Sequence, residues 1–214
     1  MGFTADGWTA VAIDNPDDEP EGWSPRTLEP AALPEGLVLA QGLFLQGGRV
    51  FGLAIREPGD HAGFALRIAV AALARGELSQ LELWKGRWER ASKDATLMPV
   101  IADAAPELSL HFDAHLRRFV HVRSLGFGAT TLAISTAAQL SGPWSDPQSV
   151  YRPPESSRAA AIAYAGKAHP ELGGADLVAT YAANSFDFGE LVADTSLYYP
   201  RFVRVTFKPS TDLR

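Results

Sequence analysis

Pro106-Glu107-Leu108-Ser109-Leu110-His111-Phe112-Asp113-Ala114-His115-Leu116-Arg117-Arg118-Phe119-Val120-His121-Val122 reads as two short strands joined at Asp113-Ala114-His115. Side chains alternate along a strand with period two, so Glu107, Ser109 and His111 share one face while Leu108, Leu110 and Phe112 share the other. A polar face on a strand this apolar has two readings. It is the wet side of a surface hairpin, or it lines a functional cavity with Glu107 at its mouth.

The rest of the chain supplies the setting. With 214 residues, 46% of them hydrophobic, it can bury a substantial core as one large domain or two small ones. Its 19 basic and 25 acidic residues leave a charge of −6, which gives no basic field for neutralising phosphates and argues against a nucleic-acid partner. No apolar run approaches the length of a membrane span, and Met1–Trp8 lacks the charged-then-apolar order of a signal peptide. The absence of cysteine excludes disulfides and thiol chemistry. Five tryptophans, 15 prolines and 19 glycines suit a turn-rich all-β protein.

Strand-length apolar segments recur along the chain. Trp8–Ile13 is followed by the proline-broken acidic segment Asp14–Pro20, a solvated loop that resembles a calcium loop only in charge. Leu37–Leu45 and Val50–Ile55 flank Gly47-Gly48 and form a hairpin signal. Phe64–Leu73 reads as a third strand, with helix as the alternative, and Leu81–Trp84 as a fourth. The opening hairpin, Thr130–Ser135 and Pro143–Tyr151 make a second set, with Gly126-Phe127-Gly128 as a loop. Ala159–Ala165, Asp176–Ala182 and Leu197–Phe207 make a third.

Sets of about four strands at a spacing of roughly sixty residues describe propeller blades, which bury their faces only against neighbouring blades. A β-sandwich with irregular loops is the alternative. The blades are expected at about 1–30 (partial), 36–92, 97–152 and 158–208 of one all-β domain. Three and a half blades fall short of a closed ring, so the chain is expected to be part of a longer protein, or to be completed by self-association or a partner chain.

The phrases Leu140-Ser141-Gly142-Pro143-Trp144-Ser145, Ala163-Tyr164-Ala165 with His169-Pro170-Glu171-Leu172, Thr180-Tyr181 with Asn184, and Tyr198-Tyr199-Pro200-Arg201-Phe202-Val203-Arg204-Val205 resemble the C-terminal blades of a bacterial five-bladed propeller family. That family was formerly a domain of unknown function, and it is similar to the arabinanase and β-fructosidase group of glycoside hydrolases. The resemblance spans about residues 36–208. It implies a five-bladed propeller-like fold and a furanose-containing glycan as substrate or ligand. In the related hydrolases three acidic residues meet at the axis; Glu107 matches the place of the glutamate, whereas the two earlier aspartates have no counterpart here.

Glycoside hydrolysis uses one carboxylic acid to protonate the leaving oxygen and a second carboxylate as base or nucleophile. Glu107 is the candidate acid, with a strand-edge surface carboxylate as the competing reading. Ser109 and His111 project the same way and can orient substrate, although a histidine on a mixed strand commonly satisfies local hydrogen bonds. His169, Tyr181, Asn184 and Arg201 are the further substrate-binding candidates, each with a capping or packing alternative. The five histidines show no metal-ligand spacing, so no metal and no cofactor is expected. Trp84, Trp88 and Trp144 read as packing residues. A non-catalytic propeller that binds glycan or protein, and an inactive fragment, are the alternatives to an enzyme.

Overall fold

The computed structural model describes residues 8–126 and 130–207, in two compact units, Met1–Ala104 and Ala105–Arg214. Phe127 and Gly128 of the expected glycine loop lie outside the described residues. Antiparallel strands dominate both units, and each sheet is open. The expected all-β class therefore holds at that level. Among the described residues the sheets have two, five, four and three strands rather than four each, and no strand pairing closes any of them on itself.

In the first unit β1 (Val11–Ile13) pairs with β2 (Pro25–Thr27). The acidic segment between them folds on itself: Asn15 donates to the Asp18 carboxylate and to Gly22 O and accepts from Ser24 N, while Arg26 forks onto Asp14. A long meander follows, β3 (Leu37–Gln46), β4 (Arg49–Arg56), β5 (Gly63–Ala69), then helix α1 (Val70–Ala74), β6 (Glu82–Trp84) and β7 (Trp88–Arg90). The β3–β4 turn needs positive φ at Gly47 (+55°) and Gly48 (+71°), which glycine adopts without the Cβ penalty.

The segment Phe64–Leu73 combines both of its readings. The strand ends at Ala69, and the helix-favouring Ala71-Ala72-Leu73-Ala74 run makes a short turn of helix. The apolar residues Leu37, Ala54, Phe64, Leu66, Ile68, Leu81 and Leu83 form the core. Trp88 packs edge-on against Trp84 and Phe51 and lies under the Arg67 guanidinium, a packing role as expected.

The second unit opens with β8 (Leu108–Asp113) and β9 (Arg118–Leu125), followed by β10 (Thr131–Ala137) and β11 (Gln148–Tyr151), hydrogen-bonded in the order β11-β10-β9-β8. Glu107 stands one residue before β8. Asp113 accepts hydrogen bonds from His115 N and Leu116 N and so fixes the turn. The remaining strands, β12 (Ala161–Ala168), β13 (Leu177–Ser185) and β14 (Arg201–Val205), make a three-stranded sheet, with helix α2 (Phe188–Ala193) between the last two.

Two apolar clusters join these sheets. Val120, Val122 and Ile134 meet Ala168 and Leu177, and Leu132 meets Ala163, Ala179 and Tyr181. The first strands of the three larger sheets begin at Leu37, Leu108 and Ala161, an uneven spacing that reflects a long loop before β8 and a short one before β12. Leu197 and Tyr198, expected to open the last strand, lie in a single-turn 3-10 helix. Asp194 accepts from Ser196 N there and offers the backbone a local alternative to strand pairing.

Candidate functional site

The polar face of β8 lies along β12, and the hydrogen bonds explain why. The β12–β13 register shifts between Tyr164 and Lys167, and Ala165 takes a left-handed φ of +53°. A bulge of this kind turns backbone N–H groups out of the ladder, and they need other acceptors. Two side chains supply them, and a third meets Ala168 N just beyond the bulge. Glu107 Oε2 accepts from Ala165 N at 3.0 Å, Ser124 Oγ accepts from Gly166 N at 3.0 Å, and Ser109 Oγ accepts from Ala168 N at 2.7 Å.

Gly166 permits this approach. A Cβ there would stand 2.8 Å from the backbone of Arg123 and Ser124 and from Leu132 Cδ2. Glu107 itself is exposed and Ser109 half-buried.

His111 continues the same face and differs from its neighbours. It is only 6% exposed, and neither ring nitrogen has a hydrogen-bond partner among the described residues. Burial holds its pKa below the ordinary histidine value, against the opposing pull of the Asp113 and Glu171 carboxylates. A buried neutral imidazole with two open hydrogen-bonding positions is a place where a small polar group gains more than it would in water.

Beyond the bulge, His169 follows β12 directly. Its Nε2 is 2.8 Å from Thr180 Oγ1, and its Nδ1 is 3.1 Å from Glu171 Oε1. The Glu171 carboxyl is held below its usual range, first by its own backbone N–H and, against some burial, by His169. Glu107, Ser109, His111 and His169 therefore belong to one seam between β8 and the bulged end of β12. Asp113 and Glu171 lie within electrostatic reach of His111.

The other candidates fall elsewhere in the unit. Tyr181 and Arg201 are partners across the β13–β14 ladder and meet at Glu155. Tyr181 donates to Glu155 Oε2 at 2.9 Å, and Arg201 Nε is 3.4 Å from Glu155 Oε1. Glu155 is 6% exposed and Tyr181 2%. Burial and then the hydrogen bond to Glu155 push the Tyr181 pKa up, so this phenol is a hydrogen-bond donor at all ordinary pH values. Asn184 sits three residues from Tyr181 and so faces the other side of β13; its side chain accepts from Ser185 N.

Sequence reading passed over Glu155 and Ser124. Glu155 sits in the irregular Pro153-Pro154-Glu155 stretch, where no periodicity assigns a side to a residue, and Ser124 becomes an acceptor only because β12 is bulged. Trp144 packs edge-on to His121 and donates to Leu140 O.

Other features are less suited to chemistry. A cavity of about 400 Å³ in the first unit is lined by Trp8, Leu39, Leu66, Ile68, Leu78 and other apolar side chains, with Thr9 as the polar exception. It lacks the convergent polar groups that orient a ligand. Among the described residues no cluster of histidine and carboxylate side chains has the geometry to hold a metal ion, and no helix is long and apolar enough to cross a membrane.

Comparison with known proteins places the architecture. The chain is similar to a provisionally assigned hydrolase from Bacteroides ovatus, with a TM-score of 0.56 and 13% identity over 77% of this chain and 43% of that one. The likeness is one of β-rich fold, and this chain spans less than half of that protein's length. No family model matches the sequence, and no curated protein matches it.

Proposed function

We propose that this chain forms part of a hydrolase acting on a furanose-containing glycan, within a five-bladed propeller-like protein, with Glu107 as general acid. The observation that carries the reading is the convergence of Glu107, Ser109, His111 and His169 on one seam. Glu107 opens the seam with Oε2 fixed by Ala165 N, which holds the carboxyl in one orientation. Asp113 and Glu171 lie toward the other end of the seam, within electrostatic reach of His111. The unpartnered His111 nitrogens suit a sugar hydroxyl. The likeness to a protein described as a hydrolase supports the same class.

The direct test is reducing-sugar release from arabinans and fructans by the complete protein and its Glu107→Gln variant. The amide oxygen of glutamine still accepts from Ala165 N, so this change removes the acid and keeps the brace. The expected result is a loss of about 100-fold or more; equal release by both proteins removes Glu107 from the mechanism.

A non-catalytic glycan-binding role has one specific observation in its favour. Tyr198 and Tyr199 are 72% and 66% exposed, and sugar stacking requires exposed aromatic residues. In that case oligosaccharide binding weakens in Tyr199→Ala and no glycan is cleaved.

A further inference from the structure

The hydrogen bonds of His169 have an orientation that the glycosidic reading does not use. An ionised carboxylate only accepts, so the 3.1 Å contact with Glu171 Oε1 requires the His169 proton on Nδ1. Nε2 is then a free lone pair, and the Thr180 hydroxyl donates to it at 2.8 Å. Hydroxyl to Nε2 and Nδ1–H to carboxylate is the arrangement by which a serine-type nucleophile is activated, and it is recognised by geometry and not by fold.

Two further features fit. Thr180 is directly opposite Lys167 in the β12–β13 ladder, so both side chains share a face. Lys167 is exposed and forms no ion pair among the described residues. Thr180 is partly exposed, so an incoming group can reach it.

We infer that Thr180, His169 and Glu171 form a nucleophilic relay that hydrolyses esters of short acyl groups, with Lys167 positioned to stabilise the oxyanion. Thr180 Oγ1 bonds to the ester carbonyl carbon, and its proton passes to His169 Nε2. The carbonyl oxygen becomes an alkoxide beside the Lys167 ammonium. Collapse breaks the bond to the leaving alcohol oxygen, which takes the proton from Nε2. Water then attacks the acyl-threonine ester with His169 as base, the Oγ1–carbon bond breaks, and the proton returns to Thr180. The balance is ester plus water to acid plus alcohol, with no redox change. Glu171 acts through His169 and is a positioning residue. Thr180 is only partly exposed, which favours a small acyl group.

The test uses the full chain with p-nitrophenyl acetate and, separately, a fluorophosphonate. The expected adduct maps by mass spectrometry to Thr180 in the unaltered chain, a readout that needs no variant to fold. Thr180→Val lowers kcat by at least about 100-fold and Thr180→Ser restores it. Glu171→Gln lowers kcat with KM unchanged, and Glu171→Asp retains more activity than Glu171→Gln. Absence of an adduct on Thr180, or ester hydrolysis by a folded Thr180→Val at the unaltered rate, overturns the assignment. Neither result depends on glycan cleavage.

Discussion

His111 is buried with neither ring nitrogen hydrogen-bonded among the described residues. Its folded pKa is depressed by burial, so below the unfolded value of about 6.5 the unfolded chain binds a proton that the folded chain resists. Stability from this group is therefore complete above about pH 6.5 and falls as the pH drops toward the folded pKa. Thermal melts between pH 7.5 and 5 are expected to show falling Tm, with a shallower fall in His111→Phe, which fills the site without a proton to gain. An identical pH slope in the two proteins would mean that other groups dominate.

Tyr181 supplies the second residue-scale prediction. Tyr181→Phe leaves the buried Glu155 Oε2 without its donor, at a cost of about 1–3 kcal/mol read from denaturant midpoints. The sequence marked Tyr181 and Arg201 but could not show that both serve Glu155, because that carboxylate comes from a single 3-10 turn, Pro154–Ser157, too short to show a periodicity.

At the scale of elements, the hairpins were legible where period-two alternation and turn residues agree. Leu37–Leu45 with Gly47-Gly48, and the pair that starts at Leu108, are the clear cases. Leu197–Tyr198 was not legible, because an aspartate cap three residues before Leu197 overrides strand-like composition.

The β12 bulge was the larger omission. Ala161–Ala168 carries no residue that announces a register shift, yet the bulge is what gives Glu107 and Ser124 their partners. It also yields a stringent prediction. In Gly166→Ala the new methyl meets the Arg123–Ser124 peptide unit at 2.8 Å, which a side-chain rotation cannot relieve, and Leu132 Cδ2 at the same distance. The variant is expected to lose about 1–3 kcal/mol, measured by urea unfolding. A neutral change would show that the β9–β12 contact is looser than described.

At the scale of the whole molecule, composition indicated an all-β chain able to bury a large core, and the apolar clusters in each unit meet that expectation. Composition could not reveal where the chain leaves apolar surface uncovered. In the second unit Phe188, Val192, Tyr198, Tyr199 and Phe202 are all exposed. A group of large apolar residues in the open favours association, so sedimentation velocity is expected to show concentration-dependent self-association. Replacing Phe188 and Val192 together by glutamate should reduce it.

On the reading proposed above, a glycan occupies the seam between β8 and β12. Titration of the protein with arabino- and fructo-oligosaccharides, followed through backbone amide resonances, tests it most directly. The account predicts that the largest shifts fall on the Ala165, Gly166 and Ala168 amides, whose N–H groups are held by Glu107, Ser124 and Ser109. Shifts confined to Tyr198–Phe202, with those three amides unmoved at saturation, would contradict it.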